Sequence, residues 1–396
     1  MGTWPMWICR LERRSAINSV DTVILLAVPP ITKKSPRAFP KAKKNPISSV
    51  EDVMSPTLAI ALNLMAAPEF VRVRIHASEK RFQFQGAVSC GGQTLKNPTV
   101  RAAGSMLMVG SAKLAKGTVC KGKGSFQFAD VRWRGEAQVS RRGKTLQLVA
   151  VLDMESYVAG VVNAELLPGW PPESLKAMAV AARTYTHWRR SSRTQADWDV
   201  TADVSSQVYR GGEARRPVLR AVSATRGQIL RYGGKPAATY YHACAAGKTV
   251  PAQEVWGTAY PYLKSVTSPD LACTRVNWDS RMSTQDAGTR LGLGRLVQAK
   301  VIAFQPSGRV KRVRFWGRAG KKDYEVQDLR KALGWEVVRS SDFEVRVANG
   351  KILVFRGHGS GHGVGMSQWG ARGMALKGKT YRDILTHFYP GTTLKE

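Results

Sequence analysis

Three stretches beyond residue 69, "FVRVRIHA", "RFQFQGAV" and "GKTLQLVAVLD", alternate apolar and polar positions and are separated by glycine-rich turns. Successive side chains on a strand point to opposite faces, so this period of two predicts β-strands. The period then changes. In "MESYVAGVVNAELL", Tyr157, Val158, Val161 and Val162 recur at helical spacing, and Asp153 stands where a side chain caps a helix start. This helix is expected to end at Pro168-Gly169. A second is expected from Pro171-Pro172, since proline fits a first turn, through "ESLKAMAVAARTYTHWRR". Strands return at "RGQILRY" and "AATYYHAC". Residues 285–355 read as β with short helices, in "RVKRVRFWG" and "FEVRVANGKILVFRG". A last helix, "YRDILTHFY", follows. No internal repeat is evident. The mixture is α+β, not alternating βαβ.

Composition narrows the class. The 396 residues are 43% hydrophobic and carry a formal charge of +33. A basic body of this kind suits a polyanion: nucleic acid, anionic lipid or a cell-wall polymer. No nucleic-acid-binding motif accompanies the charge. Five cysteines make no disulfide-rich framework. No apolar run reaches the roughly 18 residues of a membrane span. Two shorter runs, "VILLAV" and "PTLAIALNLMAA", could each be the core of an export signal, with a Pro/Lys-rich stretch between them.

Several side chains could carry chemistry. Glu165 falls on the apolar face of the first helix, near its C-terminus. Burial and the negative helix end both disfavour its charged form, which suits a general acid. The structural alternative is a glutamate at a fraying end, turned to water. Arg183 sits at the edge of the buried stripe of the second helix. It either faces a cleft shared with Glu165 or lays its stem along the core with its head in water. His242 and Cys244 share a strand face, and with Cys273 they could hold a structural Zn²⁺. The alternative is a Cys244–Cys273 disulfide. Cys90 and Cys120 could likewise pair. Trp256, Trp278 and Trp369 are expected in the core or on a cleft wall.

"GHGSGHGVGMSQWGARGMALKG", residues 357–378, holds His358 and His362 four residues apart. That spacing suits ligands on a helix. Each glycine costs a helix about 1 kcal/mol relative to alanine, so the segment reads as a loop.

In order, "LDMESYVAGVVNAELLPGWPPESLKAMAVAARTYTHW", "DVSSQVYRGGEA", "AVSATRGQILRYGGKPAATYYHACAAGKT", "VWGTAYPYLKSV" and "GHGSGHGVGMSQWGARGMALKGKTYRDILTHFYPGTTL" resemble the SpoIID/LytB family, the sporulation stage II protein D and amidase-enhancer proteins. The resemblance spans about residues 69–396. It implies a β-rich α+β fold, with a short helical cluster carrying a catalytic glutamate and a smaller β-rich subdomain bordering a cleft. The implied activity is peptidoglycan lytic transglycosylase, with Glu165 as acid/base and Arg183 as a functional position. His362, Ser367, Gln368 and Trp369 match the family's "GHGVGMSQWGA" block and would contact substrate; His358 does not match. His242, Cys244 and Cys273 resemble the zinc ligands of some members. The implied partners are glycan strands and a cell-wall amidase, in the cell envelope, reached through an N-terminal signal. The alternative role is a non-catalytic enhancer of that amidase. Two departures stand out: Leu166 and Leu167 precede the proline of the catalytic block, and Ala246-Gly247 replaces a commoner double glycine. The expected division is a leader, export signal or extension over 1–68, an N-terminal β region over 69–148 and a catalytic core over 149–284. A β-rich subdomain over 285–355 follows, then a loop and closing helix of the core over 356–396.

Overall fold

The computed structural model describes residues 69–395, apart from 105, 115–118, 122–123, 194–195, 271 and 275. The expectations for residues 1–68 lie outside the described residues. The fold is α+β and rich in strands.

A seven-stranded sheet begins the described chain. Its strands run in the order Val200–Thr201, Phe70–Ser78, Thr145–Asp153, Glu136–Arg142, Val119–Lys121, Ala87–Cys90 and Gln93–Lys96. Phe70–Ser78 pairs antiparallel with Thr145–Asp153, Phe70 opposite Asp153. The central run Leu146–Ala150 is buried throughout, which explains its nearly unbroken apolar character. Cys90 and Cys120 face each other on neighbouring strands and form a disulfide.

Asp153 ends its strand and caps helix α1, Met154–Glu165, by accepting from the Ser156 N–H at 2.9 Å. The helix stops three residues before Pro168, at Glu165, so this side chain sits on the last helical position. Helix α2, Pro172–Ser191, starts on proline as expected and is buried along Leu175–Thr186 apart from Lys176. Helices α3 (Arg216–Ala224) and α4 (Ala252–Trp256) follow. "AATYYHAC" contains only a two-residue strand, Tyr241–His242, paired parallel with Met366–Ser367. This pairing joins the middle of the chain to its glycine-rich segment.

Residues 277–358 build a second hydrophobic core of their own, around Trp278, Leu296, Phe315, Leu329, Leu353 and Phe355. Two three-stranded sheets enclose it with helices α5 (Thr284–Leu291) and α6 (Val326–Leu333). The main core takes residues from both sides of this insertion, from Val71 to Leu263 and from Val364 to Tyr389. The Arg309 guanidinium tethers the insertion to the main core, donating to the Ala245 and Lys248 carbonyls at 2.7 and 3.3 Å.

The segment 357–378 corrects the loop expectation. Residues 359–365 are a loop, but Gln368–Leu376 form helix α7, and α8 is Tyr381–Phe388. The glycines of α7 serve close approach. A Cβ on Gly373 would lie 2.1 Å from the Pro269 carbonyl oxygen, and one on Gly370 would lie 2.3 Å from the Ser268 hydroxyl. Tertiary packing outweighs the helix penalty of glycine here.

Candidate active site

Glu165 is held by three separate segments. The Val208 N–H donates to Oε1 at 3.0 Å, and the Gln368 amide donates to Oε2 at 2.9 Å. The Tyr241 hydroxyl lies buried beside the carboxylate and lowers its pKa, although it forms no well-shaped hydrogen bond. Burial is the largest influence and raises the pKa above its ordinary 4.5. The Val208 and Gln368 donors and the Arg210 charge pull the other way. The carboxyl therefore leans toward its protonated form, while its ionised form still finds two donors. None of these main influences is a second carboxylate.

Chain neighbours of these segments line a cleft of about 490 Å³, and Glu165 itself is not among its walls. Ser206 and Tyr240, close in the chain to Val208 and Tyr241, are on its wall, as is His362. The His362 ring lies 5.0 Å from Trp256 and 5.5 Å from His242, and its Nδ1 accepts from the Val364 N–H. Burial holds His362 well below the usual imidazole range, so it is a neutral wall. Two glycines let this loop pass. Gly361 (φ +108°) and Gly365 (φ +68°) need left-handed backbone, and a Cβ on Gly365 would sit 2.1 Å from the Tyr240 carbonyl oxygen. A larger groove of about 970 Å³ lies within the insertion, and Glu165 is not among its walls.

The structure separates Arg183 from Glu165. Arg183 is 1% exposed, and its fork donates to both carboxylate oxygens of Glu155 at 2.9 and 2.6 Å. A third donor reaches the Gln228 carbonyl at 3.1 Å. Glu155 is in the first turn of α1, about 15 Å along the helix from Glu165. Neither the cleft-facing nor the wet-headed reading applies: the charge is enclosed and paired. Arg183 locks α1 to α2 and to the turn at Gly227.

Of the "SQW" residues, Gln368 touches Glu165 directly. Ser367 is fully buried, caps α7 through the Gly370 N–H and donates to Asp270 at 2.8 Å. Its hydroxyl is thus engaged inside the protein and not presented to substrate. Trp369 packs edge-on against Trp170 and under the Arg372 guanidinium. Trp278 is core and Trp256 is 41% exposed on the cleft wall, as expected. His358 lies outside the Glu165 site, on the larger groove.

The His242, Cys244 and Cys273 group comes together only in part. Cys244 and Cys273 are buried thiols, not a disulfide, and the Cys273 side chain hydrogen-bonds Cys244. That bond, and burial after it, push the Cys244 thiol up. The His242 Nδ1 meets the Val364 carbonyl at 3.1 Å, its buried Nε2 has no hydrogen-bond partner, and burial lowers its pKa to about 3. Among the described residues, no three His, Cys, Asp or Glu side chains converge as metal ligands.

Sequence reasoning missed Tyr241, Glu155 and Asp270. The buried Asp270 accepts from the Ala245 and Gly247 N–H groups and from Ser268 and Ser367. It splints the cysteine loop to the start of α7. Only its place in a Ser-Pro-Asp turn signals it, and that signal is weak.

The family model for SpoIID, stage II sporulation protein, matches residues 142–232, which include α1, α2 and α3. An uncharacterised protein of Brachyspira hyodysenteriae is 33% identical over 286 residues, covering 70% of this chain and 76% of that protein. Stage II sporulation protein D of Bacillus amyloliquefaciens is 33% identical over 265 residues, covering 62% and 75%. The amidase enhancer of Bacillus subtilis is 27% identical over 286 residues, covering 59% and 40%. With stage II sporulation protein D of Bacillus amyloliquefaciens matched over three quarters of its length at 33% identity, this chain belongs to the stage II sporulation protein D family.

Proposed function

We propose that the chain is a cell-wall enzyme, a lytic transglycosylase acting on peptidoglycan glycan in the cell envelope. Family membership supports the cell-wall role. The observation that carries the enzymatic reading is a single half-buried carboxyl, Glu165, with a raised pKa, two donors for its ionised form and no carboxylate partner among its main influences. Ordinary glycoside hydrolysis uses two carboxylates. One suffices when the nucleophile belongs to the substrate.

The reaction is the following. Protonated Glu165 gives its proton to the oxygen of the β-1,4 bond between N-acetylmuramic acid and N-acetylglucosamine, and the C1–O bond breaks. The Glu165 carboxylate takes the proton of the muramyl C6 hydroxyl, whose oxygen bonds to C1. A 1,6-anhydro ring closes, no water is consumed and Glu165 is protonated again. Val208 and Gln368 stabilise the intermediate carboxylate, and burial favours its reprotonation.

The test is Glu165→Gln, assayed for release of soluble glycan from strands stripped of stem peptides. Turnover should fall by about 10² to 10⁴, the usual worth of a general acid/base, with glycan binding retained. Wild-type turnover in the variant would refute the assignment. The amidase-enhancer relative favours a second reading, a glycan-binding stimulator of an amidase partner. In that case, Glu165→Gln would leave amidase stimulation unchanged and neither protein would cleave glycan.

A further inference from the structure

Strand Phe70–Ser78, the end of α2 and the segment after it bring arginines together around one indole. The Arg74 guanidinium lies 4.2 Å from the centre of the Trp198 ring, and that of Arg193 lies 5.2 Å from it. Trp198 is 5% exposed, and its buried Nε1 has no hydrogen-bond partner. Two more arginines stand close by: Arg189 in the last turn of α2 and Arg142 at the end of strand Glu136–Arg142. The Arg193 pKa is lowered by burial first, and then by the charges of Arg189, Arg74 and Arg142.

Like charges gathered in this way repel, and the neighbouring acids are engaged with other groups. Asp199 accepts from the Arg72 Nε and Nη2 at 3.3 and 2.7 Å, and Arg190 is the second cation beside it. Glu69 pairs with Arg190. Asp203 is near enough to feel the Arg74 charge, but its Oδ1 accepts from the Thr201 hydroxyl at 2.9 Å, the Ser205 N–H at 2.9 Å and the Ser205 hydroxyl. Among the described residues, no carboxylate forms an ion pair with Arg74, Arg142, Arg189 or Arg193. The indole face attracts each cation, which orders the two guanidiniums without cancelling their charge. An oxygen-rich anion cancels it. Guanidinium forks take phosphate oxygens in pairs, and an arginine cluster gives one phosphate several charge-assisted hydrogen bonds.

We propose that Arg74, Arg142 and Arg193, gathered around Trp198, form a binding site for a phosphate group, carried by a lipid headgroup or by a soluble phosphate compound. The site is independent of the Glu165 chemistry. It gives this strongly basic chain a place where an anion is held by convergent side chains and not by net charge alone.

Isothermal titration of pyrophosphate into the full-length protein tests this, at about 0.15 M salt, where attraction between exposed charges is screened beyond about 8 Å. Binding should saturate at one pyrophosphate per chain. Arg74→Gln and, separately, Arg193→Gln should weaken it about tenfold, the worth of one charge-assisted contact. Arg220→Gln, which removes an exposed arginine of α3, should leave it unchanged. Melting temperatures give a second reading. Without pyrophosphate, Arg193→Gln should melt at or above the wild-type temperature, because a repelling charge is gone. With pyrophosphate, wild type should gain more stability than the variant, by mass action. Cosedimentation with phosphatidylcholine vesicles, with and without phosphatidylglycerol, separates the two sources. Capture by phosphatidylglycerol that weakens in Arg74→Gln and Arg193→Gln assigns a lipid headgroup. Equal capture of wild type and both variants, beside their weakened pyrophosphate binding, assigns a soluble phosphate compound. Absence of saturable pyrophosphate binding overturns the proposal, as does unchanged affinity in both variants. Equal weakening by Arg220→Gln overturns it too, since the attraction would then be one of net charge. Arg193→Gln melting below wild type without pyrophosphate would show that the protein itself already neutralises the cluster, which removes the need for an anion and overturns the proposal.

Discussion

At the scale of single residues, Glu165 is poised by opposing influences, and each can be removed. Its pKa is raised in the folded protein, so its contribution to stability is fully present below about pH 4.5 and is lost as pH rises through the raised value. Glu165→Gln removes that titration. The melting temperature of the variant, relative to wild type, should climb over this window and then level off. A flat difference from pH 4 to 8 would show that the carboxyl is not desolvated as described. Gln368 acts on Glu165 through the amide donor to Oε2. Gln368→Leu keeps similar bulk and deletes the donor to Oε2. The limb of the pH–rate profile set by Glu165 should move to higher pH, with KM little changed. A profile unmoved in pH but uniformly lowered would return Gln368 to a packing role. The position of Glu165 was legible in the helical spacing of Tyr157, Val158, Val161 and Val162. Its partners Val208, Tyr241 and Gln368 lie 43, 76 and 203 residues further along the chain, and no local pattern links them to it.

At the scale of elements, two contacts hold the helices around the site. The Arg183–Glu155 pair joins α1 to α2 at 2.6 Å, with side-chain exposures of 1% and 17%. Removing one member of such a pair strands the other, which costs about 3–5 kcal/mol. Arg183→Ala should lower unfolding free energy by about that much in chemical denaturation. If stability is unchanged while turnover collapses, Arg183 acts in the chemistry after all. The second contact is the passage of α7 over Pro269. Alanine ordinarily favours a helix over glycine by about 1 kcal/mol. In Gly373→Ala the new Cβ would meet the Pro269 backbone oxygen at 2.1 Å. The variant should therefore be destabilised, by about 1–3 kcal/mol in thermal melts, as overpacked sites are. A stabilised variant would mean that α7 does not press on this turn. The helices α1, α2 and α8 were readable because each carries a cap or a proline start together with an apolar stripe. Helix α7 was not, because its glycines mimic loop composition while serving close packing. The strand expected over "AATYYHAC" shrank because its apolar residues follow contacts of the core and not one ladder.

At the scale of the whole molecule, the chain builds a main core, leaves it for an insertion with a core of its own, and returns to complete the Glu165 site with Gln368. The insertion contributes arginines and Trp335 to one side of the cleft, while the main core contributes Tyr240, Trp256 and His362. Strand periodicity over 285–355 indicated a β-rich segment, and its edges in the structure, Asn277 and His358, lie eight and three residues outside that reading. The charge of +33 indicated a polyanionic partner without saying where it binds. The central claim is that this architecture performs an intramolecular transfer and not a hydrolysis. Mass spectrometry of products from full-length protein and peptide-free glycan, in water enriched in ¹⁸O, separates the two most directly. The account predicts 1,6-anhydromuramyl ends without ¹⁸O, absent when Glu165→Gln replaces wild type. Reducing muramyl ends carrying ¹⁸O would contradict it.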